Sequence, residues 1–460
     1  MDSEAMQPTS EEIQLTEEKI TVSEAEDRIS HLPDFLLHDI LSSLPTKDAV
    51  ATSVLSTKWK YMWTSVDSLD INEGLVNEDP AKKKKFADFV KSVLLKLQGK
   101  SHIKKFHLKC KNHDESPVNA WVYLGLKLKP QTVDINICQI KPADLIVLPT
   151  HICKSESVTV MKLQSNHELY IPCPLSLPNV RVLHLHKVCY PALLSDKPLI
   201  CSCPLLSELI LDQIKMNDFP QAIVIPIPSV KILKLYDVYR DTVMKIIAEN
   251  LVSFVYKGGM SNDIFLCDTN SIIDAYVEIT PLYAPREIGP RASRFLQQLS
   301  NVKCLAVSSV TISTLARDPN IFVTFPTFQK VTYLELSTSD AISSHYRLVL
   351  AFIHRSPNLR DLVFDKEAHP KRIIDRSSTP ATPNGGSSLS QLRTVVFKRF
   401  NPNMVTFHYI KTLLEYAPEL EKMTIHPSRE LLADQEKHTK FREVLFSVRK
   451  LSNQCVIVYN

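Results

Sequence analysis

The sequence predicts an α/β protein in which three short N-terminal helices precede a solenoid of strand units stacked into a curved parallel sheet. Residues 27–66 carry leucines at helical spacing, interrupted by prolines. From about residue 100 one short apolar phrase returns again and again. Glycine is scarce, 8 residues in 460, which disfavours an enzyme built on glycine-rich phosphate loops. The 29 prolines are spread along the chain, as many short elements joined by turns require.

The helices come first. Pro33 suits a first helical turn, where its missing N–H costs nothing. Leu36, Leu37, Ile40, Leu41 and Leu44 then repeat on one face, and Pro45 stops the helix. Thr46 is placed to cap a second helix that buries Val50 and Val54, with Asp48 in its first turn. Ser56 is placed to cap a third, whose Leu55, Trp59 and Trp63 lie four apart and share a face. A module this small cannot bury so many large side chains alone. It is either a helical cap on its own solenoid or an amphipathic surface completed by a partner's helices.

The stretch from Asp27 to Trp63, DRISHLPDFLLHDILSSLPTKDAVATSVLSTKWKYMW, resembles the F-box in its plant form, over the whole motif and without a gap. The resemblance implies binding of a Skp-type adaptor, which links the F-box to a cullin scaffold. On that likeness Leu32, Pro33, Leu36, Ile40, Leu41, Leu44, Val50, Leu55 and Trp59 form the adaptor contact or the module's core, undivided at this level.

The repeated phrase is a turn residue followed by apolar positions two, five and seven residues later. It reads Pro178 with Val180, Leu183 and Leu185, then Pro204 with Leu206, Leu209 and Leu211, then Pro228 with Val230, Leu233 and Leu235. Ser300 with Val302, Leu305 and Val307, and Pro357 with Leu359, Leu362 and Phe364, follow it. Looser copies end at Leu108, Ile137, Leu163, Tyr256, Val277 and Leu336. The last two apolar positions are separated by one residue, so both point to the same side of a strand. Each unit leaves a face that only a stacked neighbour covers. The region is similar to the irregular leucine-rich repeats behind many plant F-boxes. In such a solenoid the residues between the apolar positions face the concave side, where a substrate docks. His184, His186, Asp212, Lys234 and Tyr236 are the substrate-binding candidates, with Glu208, Lys257, Glu335, Asp361 and Asp365 on the same face.

Residues 368–388, rich in Pro, Ser, Thr and Gly, read as a flexible linker. Beyond them the phrase recurs at 389–400 and 417–425, around an amphipathic helix with Val405, Ile410, Leu413, Leu414 and Tyr416. A polar helix near 429–450 leads to an apolar end at 455–459. This layout is similar to the FBD domain of plant F-box proteins. The resulting order is an acidic disordered tail (1–26), the F-box (27–66), a helical linker (67–99), leucine-rich repeats (100–367), a flexible linker (368–388) and an FBD-like region (389–460).

Residues 1–27 hold nine acids and one base, so of the net +4 about +12 falls on the rest. No basic stripe with interleaved aromatics points to nucleic acid, and Lys82–Lys85 reads as a solvated edge. The ten cysteines form no CxxC pair and most sit in apolar runs, as reduced thiols of a cytoplasmic or nuclear protein do. The polar N-terminus shows no secretory signal, and no apolar run reaches the length of a membrane span. No GxSxG, HExxH, GxxxxGK[ST] or GxGxxG motif occurs. The expectation is a non-catalytic subunit of a Skp–cullin–F-box ubiquitin ligase, without cofactor or metal, that binds its protein substrate through the repeats. An interaction scaffold and a small-molecule receptor, both without a degradative role, are the alternatives.

Overall fold

Leucines two residues apart become continuous apolar rungs once the strands stack in register. In the computed structural model Leu183 sits beside Met161 on one strand and Leu209 on the next, and Leu209 beside Leu233. Leu185, Leu211, Leu235 and Tyr256 make the second rung in the same way. All eight side chains are buried. Full burial of one such aliphatic side chain stabilises by about 1.5–3 kcal/mol, so the rungs are the main cohesive element. They run from Leu69 and Ile71 at the start to Ile457 and Tyr459 at the end, within a sheet that has 17 strands among the described residues. The structure describes residue 29 and residues 32–74, 79–139, 146–190, 198–216, 222–238, 242–260, 263–281, 288–338, 345–366 and 389–460. The acidic tail at 1–26 and the linker at 368–388 lie outside the described residues.

The chain divides into two compact units, Met1–Val66 and Asp67–Asn460. In the first, Pro33 occupies the cap position of the helix Asp34–Ser43, which buries Leu37 and Leu41. Pro45 holds the cap position of Thr46–Ala51; Thr46 does not cap it but is itself buried. The third helix departs from expectation. Two 3-10 turns, Thr52–Val54 and Trp59–Ser65, take its place, and Ser56 contributes its carbonyl to Trp59 N–H rather than a side-chain cap. Leu55 lies outside the 3-10 turn that carries the two tryptophans, so no continuous helix aligns it with them. Trp59 and Trp63 are buried while Leu55 is 64% exposed. Val54, expected inside, is 87% exposed.

In the second unit the sheet opens at Ser68–Asn72, within the segment read as a helical linker, and the helix Pro80–Lys96 follows. All described pairings run parallel, as short crossover units require. One looser copy of the phrase is corrected by register: Leu108 pairs with Ile135 and Ile135 with Leu163, so the rung falls at Ile135 and not at Ile137. Beyond residue 389 the strands Thr394–Phe400, Lys422–Pro427 and Val456–Tyr459 extend the same ladder. Ile410, Leu413 and Leu414 are buried in the helix Met404–Tyr416, but Tyr416 at its end is exposed. The polar stretch behind it forms two helices, Arg429–Ala433 and Gln435–Ser447.

The return segments differ along the ladder. Early and late units return through helices, among them Glu115–Lys127, Ile288–Gln298 and Tyr346–His354. At Gly125 a Cβ would overlap the Phe106 ring, so that helix touches the rungs closely. The middle units return instead through Ala222–Pro226, Val243–Ile247 and Ile264–Cys267, which pair into a second parallel sheet. All ten cysteines are free thiols. Cys110 is buried, whereas Cys138 and Cys304 occupy the outer strand positions and are half-buried. Among the described residues no helix is long and apolar enough to cross a membrane.

Candidate functional site

Two surfaces collect the residues singled out from the sequence. The first lies on the N-terminal unit. Leu41 and Trp59 are buried and hold the helices together. Leu36 (38% exposed), Ile40 (42%) and Leu55 point outward, as does Pro33, while Leu32, Leu44 and Val50 are half-buried. The nine predicted residues therefore split into core and surface. The structure adds Phe35 and Tyr61, which the periodicity argument did not single out, and Val54, which it had placed inside; all three are strongly exposed. Phe35 precedes the Leu36/Leu37 pair, and helical spacing alone could not say which side of that face meets the module's core. Lys58 ties the 3-10 segment to the first helix: its ammonium lies 3.2 Å from Asp34 Oδ1 and 3.3 Å from the Leu32 carbonyl. These large apolar groups are concentrated in water on one small module.

The second surface is the outer face of the long sheet. Every predicted member of it occupies a position that alternates with the rungs. His186 Nδ1 lies 2.8 Å from Asp212 Oδ2, and His184 Nε2 lies 3.2 Å from Glu208 Oε1. Asp212 and Tyr236 come together in a pocket of about 450 Å³, with Asp237, Lys257, Gly258, Glu278 and Thr280. Lys257 bridges to Glu278 at 3.5 Å and lies over the Tyr276 ring at 5.0 Å. His184 and Lys234 stand one row away and do not line this pocket. Burial holds the His184 imidazole below its usual pKa, against the opposing pull of Glu208. Burial, then the Asp212 carboxylate, raises the Tyr236 phenol. Farther along, the Lys398 ammonium reaches Glu335 at 3.3 Å and Asp365 at 3.9 Å, and Thr394 donates to Asp361 at 2.6 Å. These groups are ion-paired or hydrogen-bonded to partners on neighbouring strands of the ladder.

Residues 29–70 match the family model of the F-box domain. An F-box/LRR-repeat protein of Arabidopsis thaliana is 26% identical to the chain, covering 93% of each. A putative FBD-associated F-box protein of the same plant is 25% identical over 92% of this chain and 98% of its own length. A putative F-box/FBD/LRR-repeat protein, again from Arabidopsis thaliana, is 27% identical over 92% and 97%. The exposed apolar set on the N-terminal unit thus lies within a recognised domain, and the ladder behind it follows relatives named for their repeats. The protein carries an F-box domain and is similar over most of its length to plant F-box/LRR-repeat and FBD-associated F-box proteins.

Proposed function

We propose that the protein is the substrate-recognition subunit of a Skp–cullin–F-box ubiquitin ligase acting in the cytoplasm or nucleus. The F-box binds the Skp-type adaptor and through it the cullin scaffold. The outer face of the sheet, around His184, His186, Asp212, Lys234 and Tyr236, receives the protein substrate. The subunit performs no bond chemistry itself. It raises the effective concentration of the substrate beside an enzyme carried by other subunits. The observation that carries this reading is the set of exposed apolar side chains Phe35, Leu36, Ile40, Val54 and Leu55 within the matched F-box.

The test is adaptor co-purification with the double variant Leu36→Ala/Ile40→Ala. Both side chains are partly exposed, so the helix keeps its buried Leu37 and Leu41. If the adaptor covers them, each truncation removes on the order of 1 kcal/mol or more of apolar burial. Together that is at least about tenfold in affinity. Adaptor recovery is expected to fall at least that far, with an unchanged thermal midpoint. Full recovery of the adaptor overturns the assignment of this set as its binding surface.

A further inference from the structure

On the return side of the early repeats a second pocket, about 510 Å³, is lined by Lys127, Lys129, Lys154, Tyr123, Ser155 and Glu156 among others. Each lysine is placed by a defined backbone feature. Lys127 ends the helix Glu115–Lys127, Lys154 ends the 3-10 turn Thr150–Lys154, and Lys129 occupies a left-handed turn with φ of 49°. A lysine at a helix C-terminus is favourable by itself, because it faces the negative end of the dipole. That explains Lys127 and Lys154 singly, but not why three ammonium groups from two adjacent repeats line one concavity.

Charge is the second observation. Three lysines against the single Glu156 leave a formal +2 in the lining, with the imidazoles of His102 and His151 counted neutral. Among the described residues none of the three lysines has a carboxylate within ion-pair distance, whereas Lys100 and Lys104 nearby both reach Asp67. The Lys127 ammonium is instead held 4.7 Å over the Tyr123 ring, which meets the His151 ring in a T-shaped contact at 4.8 Å. Ser157 donates to the Pro130 carbonyl at 3.0 Å, and the Ser155 hydroxyl lies 3.4 Å from the Ser157 hydroxyl. The Ser155 hydroxyl is thereby within reach of the same space.

We infer that this pocket binds a phosphate monoester. A phosphate ester carries close to two negative charges at neutral pH, which matches the uncompensated +2, whereas a carboxylate brings one. Lysine binds phosphate as a point charge and does not need the planar fork of arginine. The volume lies in the range of organic ligand sites and far exceeds a bare phosphate, so the ligand includes an organic part that meets the Tyr123 and Leu126 walls. The ester can belong to a phosphorylated side chain of a protein or to a free organic phosphate. The site is remote in sequence from the F-box, so the inference stands apart from the adaptor reading.

The experiment uses the full chain co-purified with a Skp-type adaptor, in about 0.15 M salt, where loose surface attraction is screened. Binding is measured for a degenerate phosphoserine peptide pool, for the same pool unphosphorylated, and for glucose 6-phosphate as a free monoester. The expected result is binding of one or both phosphate probes at least tenfold tighter than the unphosphorylated pool. That binding should be lost in the triple variant Lys127→Gln/Lys129→Gln/Lys154→Gln and kept in Lys82→Gln/Lys84→Gln/Lys85→Gln, which removes equal charge from the exposed helix Pro80–Lys96. Preference for the phosphopeptide names a protein source, and preference for the sugar phosphate a metabolite source. Binding of neither probe, equal binding of both peptide pools, or equal losses in the two triple variants each overturns the proposal. Thermal melts of both variants establish that the fold is intact.

Discussion

His184 stands between Leu183 and Leu185, and one residue of displacement separates core from surface on this strand. Leu183 is fully buried between Met161 and Leu209, so Leu183→Asp places an unpaired charge in an apolar stack. A loss of about 3–5 kcal/mol is expected. His184→Asn removes only a partly exposed pair with Glu208 and should cost less than about 1 kcal/mol. Urea melts of the two variants compare them directly, and equal losses would mean the register is misread. The same histidine predicts a pH effect. Burial lowers its pKa below 6.5, with Lys162 and Lys234 adding to the shift and Glu208 opposing it. On acidification the unfolded chain therefore takes the proton first. This contribution to stability is complete above pH 6.5 and is lost as pH falls below it. The melting difference between pH 7.5 and pH 5.5 should shrink in His184→Asn; an unchanged difference would discard the burial account. The alternation itself was legible in the sequence because core and surface positions differ in polarity. The pairing of His186 with Asp212 was not, since it depends on which strands become neighbours.

At the scale of elements, legibility followed how strongly each residue pattern constrained the backbone. The rungs were readable because a strand buried on one face has a period of two, and a slip of one residue inverts every side chain. Ile137 misled for the same reason, because Val133, Ile135 and Ile137 are all buried and pattern alone cannot choose between them. The first F-box helix was readable from its prolines, whereas the third was not. Leu55, Trp59 and Trp63 fit an α-helical face, yet the chain tightens into 3-10 turns there. Turns at the strand ends were also hidden. Lys187, Gln213 and Asp237 adopt left-handed φ values of 52°, 52° and 47° in three successive units, with no glycine to announce them. The ladder sustains the last two, since Gln213 N–H donates to the Tyr236 carbonyl and Asp237 N–H to that of Lys257, both at 2.7 Å. The strand returns of the middle units escaped notice because Ile223, Val224 and Ile225 form a short apolar run, which suits a strand or a buried helix equally.

For the whole molecule the open question is whether residues 389–460 form a separable module, as a domain-by-domain reading of the sequence implies, or belong to one cooperative ladder. The contacts at the junction favour the ladder. Thr394–Phe400 pairs in register with Asp361–Lys366, and Phe364 stacks on Phe397 at 4.8 Å with rings 9° from parallel. Tyr346 stacks on Tyr409 at 4.8 Å, and its hydroxyl lies 3.0 Å from that of Thr412. Lys398 reaches back two strands to Glu335. In a repeat stack each unit is stabilised by its neighbours, so removing the last units uncovers the one before. A chain ending at residue 388 would expose Phe364, Tyr346 and the edge of a parallel strand, which invites aggregation. It is expected to melt below the full chain or to aggregate, while still binding the adaptor through residues 29–70 in its soluble fraction. The reciprocal fragment, 389–460 alone, is expected to remain unfolded by circular dichroism, because nothing covers Thr394–Phe400 on its open side. If the shortened chain is monodisperse and melts like the whole, and the fragment folds by itself, the last units are a separate domain and the ladder's cooperativity ends at Lys366.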